Sequence, residues 1–234
     1  MKSRAKIKRI ALALPAGITF VERILKGVFD YASKRGRWSF VRVPERLDMG
    51  LEWLRNSGCD GAFVMISDEQ AAKIARSLPM PVVNLSAYVE IPDLPTVMVD
   101  QKETARMAAR HLLDRGFTRF AYYGTSDLWY SRVRREGFAE TILAAGGECR
   151  VLEVRSATHA SDRWKQQEKL EAWLGKMVEP TGIMASTDLR ACMAADACAQ
   201  LGLRVPEDSF GWVCAHRCTC TTVTDTEIVC SSWS

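Results

Sequence analysis

The sequence lacks the loops that bind phosphate in many nucleotide-dependent enzymes. Its 234 residues contain no G-x-G-x-x-G turn and no G-x-x-x-x-G-K-[ST] loop. A G-x-S-x-G nucleophile elbow is also missing. Only three histidines are present: His111 falls in a predicted helix, where a structural or surface role is expected, and His159 and His216 lie in polar segments. These absences predict no catalytic residues, no cofactor and no enzymatic activity.

Long hydrophobic runs are also missing, since no apolar stretch approaches the ~20 residues of a membrane span. The N-terminus MKSRAKIKR followed by IALALPAGITFV resembles a secretion signal, but the apolar run ends at Pro15 without a cleavage site. This pattern favours a first buried strand, and it predicts a cytoplasmic protein with reduced thiols and no membrane partner. The net charge of +4 is too small to indicate nucleic acid by itself.

The eight cysteines are unevenly placed, because Cys214, Cys218, Cys220 and Cys230 lie in the last 26 residues. The spacing C-x-H-x-C-x-C around His216 differs from the usual C-x2-C of zinc sites, and ligands two residues apart close a tetrahedron poorly. The sequence therefore predicts no metal site. Residues 209–234 also lack Leu, Lys and Pro and show no helical or alternating pattern beyond Val213, so we predict a disordered segment there.

The rest of the chain alternates between strand-like and helix-like patterns. Such alternation predicts an α/β protein with parallel sheets, arranged as two Rossmann-like lobes over residues 8–116 and 117–208. Strands are predicted at 10–14, 39–43, 62–66, 82–85, 96–99, 120–123, 149–154 and 182–185. Helices are predicted at 20–35, 47–54, 69–78, 104–113, 132–145, 162–173 and 189–201, with Asp68 as the N-cap of the third.

Seven short segments follow one another in a characteristic order. They are PVVNLS (81–86), PTVMVD (95–100), AARHLLDRGF (108–117), RFAYYG (119–124), SRVRREGF (131–138), TGIMASTD (181–188) and GLRVPED (202–208). In this order and spacing they resemble the sugar-sensing domain of LacI/GalR-type regulators. More narrowly, they are similar to xylose-operon regulators, in which the sensor is followed by an AraC-type DNA-binding domain. The resemblance covers about residues 8–208.

The resemblance implies a periplasmic-binding-protein-like fold whose ligand lies at the carboxyl ends of the strands, between two lobes. It implies that a sugar, with xylose or another pentose expected, closes the lobes and so changes the fit of a dimer to DNA. The family pattern continues beyond Asp208 with a strand and an Asp-rich loop. The second lobe is therefore expected to be incomplete, with residues 209–234 arising from a frameshift or a premature end in a longer regulator gene.

The resemblance also implies which residues contact the sugar. Arg134, three residues before Gly137-Phe138, matches the family arginine that binds sugar hydroxyls. Thr187 and Asp188 match a polar pair that follows a second-lobe strand. The other implied ligand-binding residues are Ala16, Gly17 and Phe20 in the loop after the first strand, Ser86 and Asp100 at strand ends, and Trp129 as a stacking platform.

Structural roles compete with several of these assignments. Arg134 lies in a basic run with Arg132 and Arg135, which is also typical of a solvated helix face. Asp188 and Asp100 are equally suited to cap the helices that follow them, Asp100 with Glu103 in a pattern similar to a capping box. Phe20 recurs at the helical spacing of a core residue.

Two other functions are compatible with a two-lobed α/β fold. A transport-type sugar-binding protein would be secreted, whereas the N-terminus lacks a cleavage site. A small Rossmann-type enzyme would need the phosphate loop that is missing. We therefore predict a sensor domain whose ligand is a sugar. Because the sequence contains no helix-turn-helix, we expect contact with DNA only through a domain absent from this chain. A homodimer is the expected assembly.

Overall fold

The computed structural model describes residues 7–35, 37–43, 50–157, 159–177, 180–203 and 210–214. The chain divides into two compact units, Met1–Met98 and Val99–Ser234. Strands and helices alternate in both units, and every paired strand in the described parts of the chain runs parallel to its neighbour. The predicted α/β class with parallel sheets is confirmed.

The first unit contains a four-stranded sheet in the order β2-β1-β3-β4. Its strands are β1 (Lys8–Ala13), β2 (Trp38–Arg42), β3 (Gly61–Val64) and β4 (Val82–Asn84). The helices are α1 (Thr19–Arg35) and α2 (Glu69–Arg76), with a short 3-10 helix at Gly50–Asn56. The predicted cap of α2 is confirmed, since the Asp68 Oδ1 accepts a hydrogen bond from the Ala71 backbone N at 2.8 Å.

The second unit repeats this arrangement with a sheet in the order β6-β5-β7-β8. Its strands are β5 (Phe120–Thr125), β6 (Cys149–Val154), β7 (Thr181–Ala185) and β8 (Phe210–Cys214). The helices are α3 (Gln101–Asp114), α4 (Trp129–Ala144), α5 (Ala160–Leu174) and α6 (Asp188–Gln200). The second sheet therefore has the same strand order as the first, displaced by four strands along the sequence.

Strand β5 lies at the centre of the second unit, and all six of its residues are buried. Tyr122 contributes to a core with α3 and α4, whereas Tyr123 contributes to a second core with α5 and α6. Burial on both faces explains why this strand is a continuous apolar run in the sequence rather than an alternating one. The carboxyl end of β5 lies close to the start of α4, since the Thr125 backbone N donates to the Ser131 hydroxyl.

Three predicted elements differ from the structure. Residues 96–99 form no strand, because only Thr96 pairs with Asn84 and the following side chains are exposed, Val97 to 65%. The helix predicted at 47–54 is instead the 3-10 helix Gly50–Asn56, and residues 44–49 lie outside the described parts. Phe210–Cys214 pairs in parallel with β7, so the segment predicted to be disordered from residue 209 contains a strand; residues 209 and 215–234 lie outside the described residues.

The boundary between the compact units also lies earlier than the lobe boundary predicted after residue 116. Helix α3 accounts for the difference, because it packs against α4 and contributes Ala105, Ala109 and Leu112 to a core of the second unit. A separate observation concerns helix length: no helix in the described residues is both long and apolar enough to cross a bilayer.

Candidate functional site

A cluster of buried polar side chains lies at the carboxyl edge of the second sheet. Strand β5 ends at Thr125, and β7 is followed by Ser186 and Thr187. Helix α4 rises from this edge and contributes Arg134, while α3 contributes Gln101 from its first residue. Ligands of parallel α/β sheets bind at this edge, where strands end and helix N-termini begin.

Arg134 is the centre of this cluster and is only 3% exposed. Its Nε donates to the Oε1 of Gln101 at 2.8 Å, and its Nη1 donates to the backbone oxygen of Ser186 at 2.5 Å. The alternative of a solvated helix face is therefore wrong for Arg134, although it holds for the exposed Arg132. A guanidinium held by acceptors from two different elements has a fixed orientation.

The aromatic ring of Tyr130 covers one side of this guanidinium, with 5.2 Å between the Arg134 Cζ and the ring centroid. Burial lowers the pKa of Arg134, and electrostatic interactions with Tyr122, Tyr130 and Asp188 oppose that shift. An arginine pKa starts so high that the group keeps its charge. The cluster therefore presents a buried, oriented cation, which suits hydrogen bonding to neutral hydroxyl pairs or to an anion.

The segment after β7 adds further polar atoms. Ser186 is fully buried, and its hydroxyl has no hydrogen-bond partner among the described residues. The Thr187 hydroxyl accepts a hydrogen bond from the backbone N of Arg190 at 3.3 Å, so Thr187 is the N-cap of α6. The predicted cap at Asp188 is thus displaced by one residue, and Asp188 becomes the first residue of the helix, where a carboxylate is favoured by the helix dipole.

Close packing of α3 on α4 brings Gln101 within reach of Arg134. A Cβ atom on Gly137 would lie 2.8 Å from the backbone oxygen of Lys102 and 3.3 Å from the Cβ of Ala105. Only glycine permits this approach of the two helices. The sequence motif around Arg134 and Gly137 therefore has a packing reason as well as a chemical one.

A second set of hydrogen bonds joins the end of β5 to the first turn of α4, next to this cluster. Ser131 Oγ accepts from the Thr125 backbone N at 2.8 Å, and the Tyr122 hydroxyl donates to the Ser131 backbone oxygen at 2.6 Å. Gly124 lies between these groups, because a Cβ there would approach the Ser131 Oγ to 2.6 Å. These contacts fix the turn from β5 to α4 and hence the position from which Arg134 projects.

Two other residues predicted to bind the ligand, Trp129 and Asp100, lie at helix N-termini of this unit. Trp129 is the half-buried first residue of α4. Asp100 caps α3, since its Oδ1 accepts from the Glu103 backbone N at 2.9 Å; the capping role expected as the alternative is confirmed. Of the predicted residues, the structure therefore gathers Arg134, Thr187 and Asp188 at one edge and gives Asp100 a helix-capping role.

The predicted residues of the first unit lie at the carboxyl edge of its own sheet. Ala16 and Gly17 are exposed in the loop after β1, where Gly17 has a φ of 71°. Phe20 is half-buried and packs against the cluster of Leu14, Val21 and Leu85, as its helical spacing indicates. Ser86 is buried, and its hydroxyl donates to the Ile66 backbone oxygen at 2.7 Å and accepts from the Ile66 backbone N at 3.0 Å. This hydroxyl joins the ends of β3 and β4.

Sequence reasoning missed Gln101, Tyr130 and Ser186. Ser186 lies inside the TGIMASTD segment, and Gln101 directly follows the PTVMVD segment, so both were adjacent to recognised signals. Glutamine and serine are common residues, and neither type by itself predicts a contact with a buried cation. Their roles depend on the close approach of α3 to α4 and on the end of β7, which are tertiary features.

A second buried arginine lies on the opposite face of the sheet. Arg190 is 8% exposed, and its Nη1 donates to the Tyr123 hydroxyl at 2.9 Å and to the Gln166 Oε1 at 3.1 Å. The guanidinium also lies over the Tyr123 ring, with its Cζ 5.3 Å from the centroid. These neutral partners join α5, α6 and β5, which gives Arg190 a structural role.

The described residues contain no cluster of side chains suited to bind a metal ion, and two of their cysteine thiols are unreactive. No group of three or more His, Cys, Asp or Glu side chains that could bind a metal ion is found in those residues. Burial raises the pKa of the Cys149 and Cys198 thiols to about 12, so both stay protonated and weakly nucleophilic at neutral pH. The Cys214–Cys220 cluster lies outside the described side chains.

Comparisons with known proteins show which proteins this chain resembles. A family profile described as a periplasmic binding protein-like domain matches residues 109–209. The chain is 24% identical over 208 residues to the Xylose operon regulatory protein of Haemophilus influenzae, covering 86% of this chain and 53% of that protein. It is 26% identical over 212 residues to the protein of the same name from Escherichia coli, with the same coverage. The chain thus spans about half the length of these curated relatives.

Solved structures show the same architecture. A xylose-binding transcription activator matches with a TM-score of 0.72 at 23% identity, covering 89% of this chain and 55% of that one. A LacI-type regulator from Alkaliphilus metalliredigens, complexed with D-xylulofuranose, matches with a TM-score of 0.66 at 19% identity, covering 88% and 77%. The chain therefore has a periplasmic-binding-protein-like α/β fold with parallel sheets. The relatives named here are regulators, in agreement with the prediction that the chain is not an enzyme.

Proposed function

We propose that this chain is the sugar-sensing part of a transcriptional regulator, and that its ligand is a pentose such as xylose. The names of the relatives support the regulatory role, and those of two structural neighbours support a pentose or a related ketose. The polar edge of the second unit supplies groups whose chemistry fits such a ligand.

The buried guanidinium of Arg134 is the observation that carries this proposal. A sugar offers pairs of adjacent hydroxyl oxygens, and the planar fork of an arginine matches such pairs with two parallel hydrogen bonds. Fixing the fork in advance lowers the entropy lost when the ligand binds. The hydrogen bond from its Nη1 to the Ser186 carbonyl contributes to this preorganisation.

Thr187 and Asp188 are proposed as further contacts because they follow β7 at the same edge, and Trp129 is proposed as the apolar platform for the sugar ring. The resemblance also implied Ala16, Gly17, Phe20 and Ser86 in the first unit, and Asp100 in the second unit. Among these, Gly17 in the exposed loop after β1 is the better candidate, since the Ser86 hydroxyl is engaged with Ile66 and Asp100 caps α3.

The wider assembly is also part of the proposal. The chain covers only about half the length of these relatives, so DNA binding would belong to a further domain, for which an AraC-type domain is proposed. A homodimer and a cytoplasmic location are consistent with a regulator of this kind. Sedimentation of the purified chain with and without sugar tests the dimer directly.

The proposed ligand is tested by isothermal titration with D-xylose, D-ribose, D-xylulose and D-glucose. We expect saturable binding of one of the pentoses. Arg134→Ala should weaken it by about a hundredfold, because two hydrogen bonds to a charged group contribute roughly 1.5 kcal/mol or more each. Arg134→Lys keeps the charge but loses the planar fork, so an intermediate loss is expected.

Arg132→Ala is the matched control, because Arg132 lies on the same helix but is exposed. Its affinity for the pentose should equal that of the wild type. Circular dichroism establishes that each variant is folded before titration. Equal affinities of Arg134→Ala and the wild type would contradict the proposal.

A further inference from the structure

The side chain of Gln101 makes contacts that the proposed function does not yet use. Gln101 is 5% exposed and is the first residue of α3. Its Oε1 accepts from the Arg134 Nε at 2.8 Å, and its Nε2 donates to the Val99 backbone oxygen at 3.1 Å. The two partners require opposite ends of the amide, one an acceptor and the other a donor, so they fix its orientation.

We propose that Gln101 is a positioning residue that aims the guanidinium of Arg134 at the sugar by holding its Nε; this rests on the function proposed above. The Ser186 carbonyl holds the Nη1 of the same group. With these two acceptors in place, the guanidinium plane cannot rotate about the Cδ–Nε bond without losing a hydrogen bond. The direction of the fork is thereby set before the ligand arrives.

The choice of an amide has an electrostatic consequence. Gln101 is neutral, so it orients the cation without cancelling its charge, whereas a carboxylate at residue 101 would form an ion pair with Arg134. The guanidinium therefore retains electrostatic attraction for hydroxyl oxygens of the ligand.

The second hydrogen bond of the amide ties this arrangement to the backbone. Val99 is the residue at which the second compact unit begins. A side chain that bridges Val99 and Arg134 holds the start of α3 in register with α4, and the glycine at residue 137 permits the short distance between these helices. Gln101 is thus buried for a reason other than hydrophobic packing.

The positioning role is tested first without ligand, by the Nε–H resonance of Arg134 in ¹H–¹⁵N spectra, assigned through its loss in Arg134→Lys. In the wild type this proton should exchange slowly with solvent. Gln101→Leu should accelerate its exchange by at least about tenfold, because the acceptor is lost. Gln167→Leu is the matched control, since the Gln167 amide donates to Glu171 on α5 and touches no part of this cluster.

Titration with D-xylose then tests the consequence for binding. We expect Gln101→Leu to weaken binding by about tenfold and Gln167→Leu to match the wild type. Gln101→Glu should cause a smaller loss than Gln101→Leu, because its carboxylate still accepts from Nε but forms an ion pair with the guanidinium and cannot donate to Val99. In an Arg134→Lys background, where no Nε–H exists, Gln101→Leu should cause no further loss of affinity. A purely structural role would give the same loss in both backgrounds and would follow the change in Tm.

The outcomes separate the two proposals. If the wild type binds a pentose and Gln101→Leu binds it equally well, the positioning role is overturned while the proposed function stands. An unchanged Nε–H exchange rate in Gln101→Leu overturns the positioning role even before any sugar is added. If the wild type binds none of the sugars, the proposed function itself fails, and the positioning of Arg134 then serves no sugar.

Discussion

At the scale of single residues, the second unit buries two arginines and provides both with defined hydrogen-bond partners. Arg134 and Arg190 lie on opposite faces of the same sheet, and each is held by neutral acceptors and covered by a tyrosine ring. Burying a guanidinium is costly unless hydrogen bonds replace those made to water. The partners of both arginines therefore matter as much to the stability of the fold as the arginines themselves.

His111 provides a prediction about pH at this scale. Burial lowers the pKa of His111 below its usual 6.5, the charge of Arg115 lowers it further, and Asp114 partly opposes both. Because the unfolded chain binds the proton more readily, the stabilisation is complete above pH 6.5 and is lost as the pH falls through the lower folded-state pKa. Urea unfolding at pH 7.5 and pH 5 should show this loss in the wild type.

His111→Gln should have a smaller difference in unfolding free energy between the two pH values. His159→Gln is the control, because His159 is exposed at the start of α5 and should leave the difference unchanged. The same pH dependence in His111→Gln as in the wild type would contradict this assignment.

At the scale of elements, packing between helices decides where the functional side chains lie. The sequence predicts most strands and helices to within a few residues, and the bounds of β6 match the prediction of 149–154. Periodicity succeeds there because burial of one or both faces leaves a direct trace in the sequence. It fails at 96–99, where an apolar run has Val97 exposed, because an apolar run does not specify a strand partner.

The candidate site was predictable only in part, for the same reason. Arg134 could be singled out because a recognisable motif surrounds it. Gln101 could not, since its role arises from a contact with a residue of another helix, 33 positions away in the sequence. Ser86 illustrates the opposite error. A polar residue after a strand suggests a ligand contact, but the structure gives its hydroxyl hydrogen bonds to the neighbouring strand end.

Gly137→Ala tests the helix contact that places the site. The added Cβ would lie 2.8 Å from the Lys102 backbone oxygen, so α3 and α4 must separate. We expect a loss of about 1–3 kcal/mol in the free energy of unfolding from overpacking, together with weaker sugar binding as Gln101 moves away from Arg134. Urea unfolding and titration calorimetry measure the two effects.

Gly27→Ala is the matched control in α1, because nothing lies within 4 Å of a Cβ at that position. Since alanine favours a helix, this variant should gain roughly 0.5–1 kcal/mol and bind sugar normally. A stability of Gly137→Ala equal to or above that of the wild type would show that the helices can separate without cost.

At the scale of the whole molecule, each unit has hydrophobic clusters of its own on the faces of its sheet. The polar cluster around Arg134 is assembled entirely within the second unit. Sugar binding there should stabilise the folded second unit by mass action, since the unfolded chain cannot present an oriented guanidinium. Stability of the molecule and occupancy of the site are therefore linked.

This linkage predicts the response of the chain to saturating ligand. At a pentose concentration of a hundred times the Kd, the unfolding free energy should rise by about 2.7 kcal/mol. Urea unfolding followed by circular dichroism measures the rise, and D-glucose at the same concentration controls for general effects of sugar on solvent. An equal rise with both sugars, or a full rise in Arg134→Ala, would contradict specific binding at this edge.

The two sheets share one strand order, β2-β1-β3-β4 and β6-β5-β7-β8, although no repeat is evident in the sequence. Each strand of the first sheet therefore has a topological counterpart in the second, and so does the loop that follows it. In this comparison β5 is the counterpart of β1. The exposed loop at Ala16 and Gly17 therefore corresponds to the turn between β5 and α4, the helix that contains Arg134. The first of these segments is exposed and the second leads to a buried cation, so one topology supports different chemistry at the edges of the two sheets.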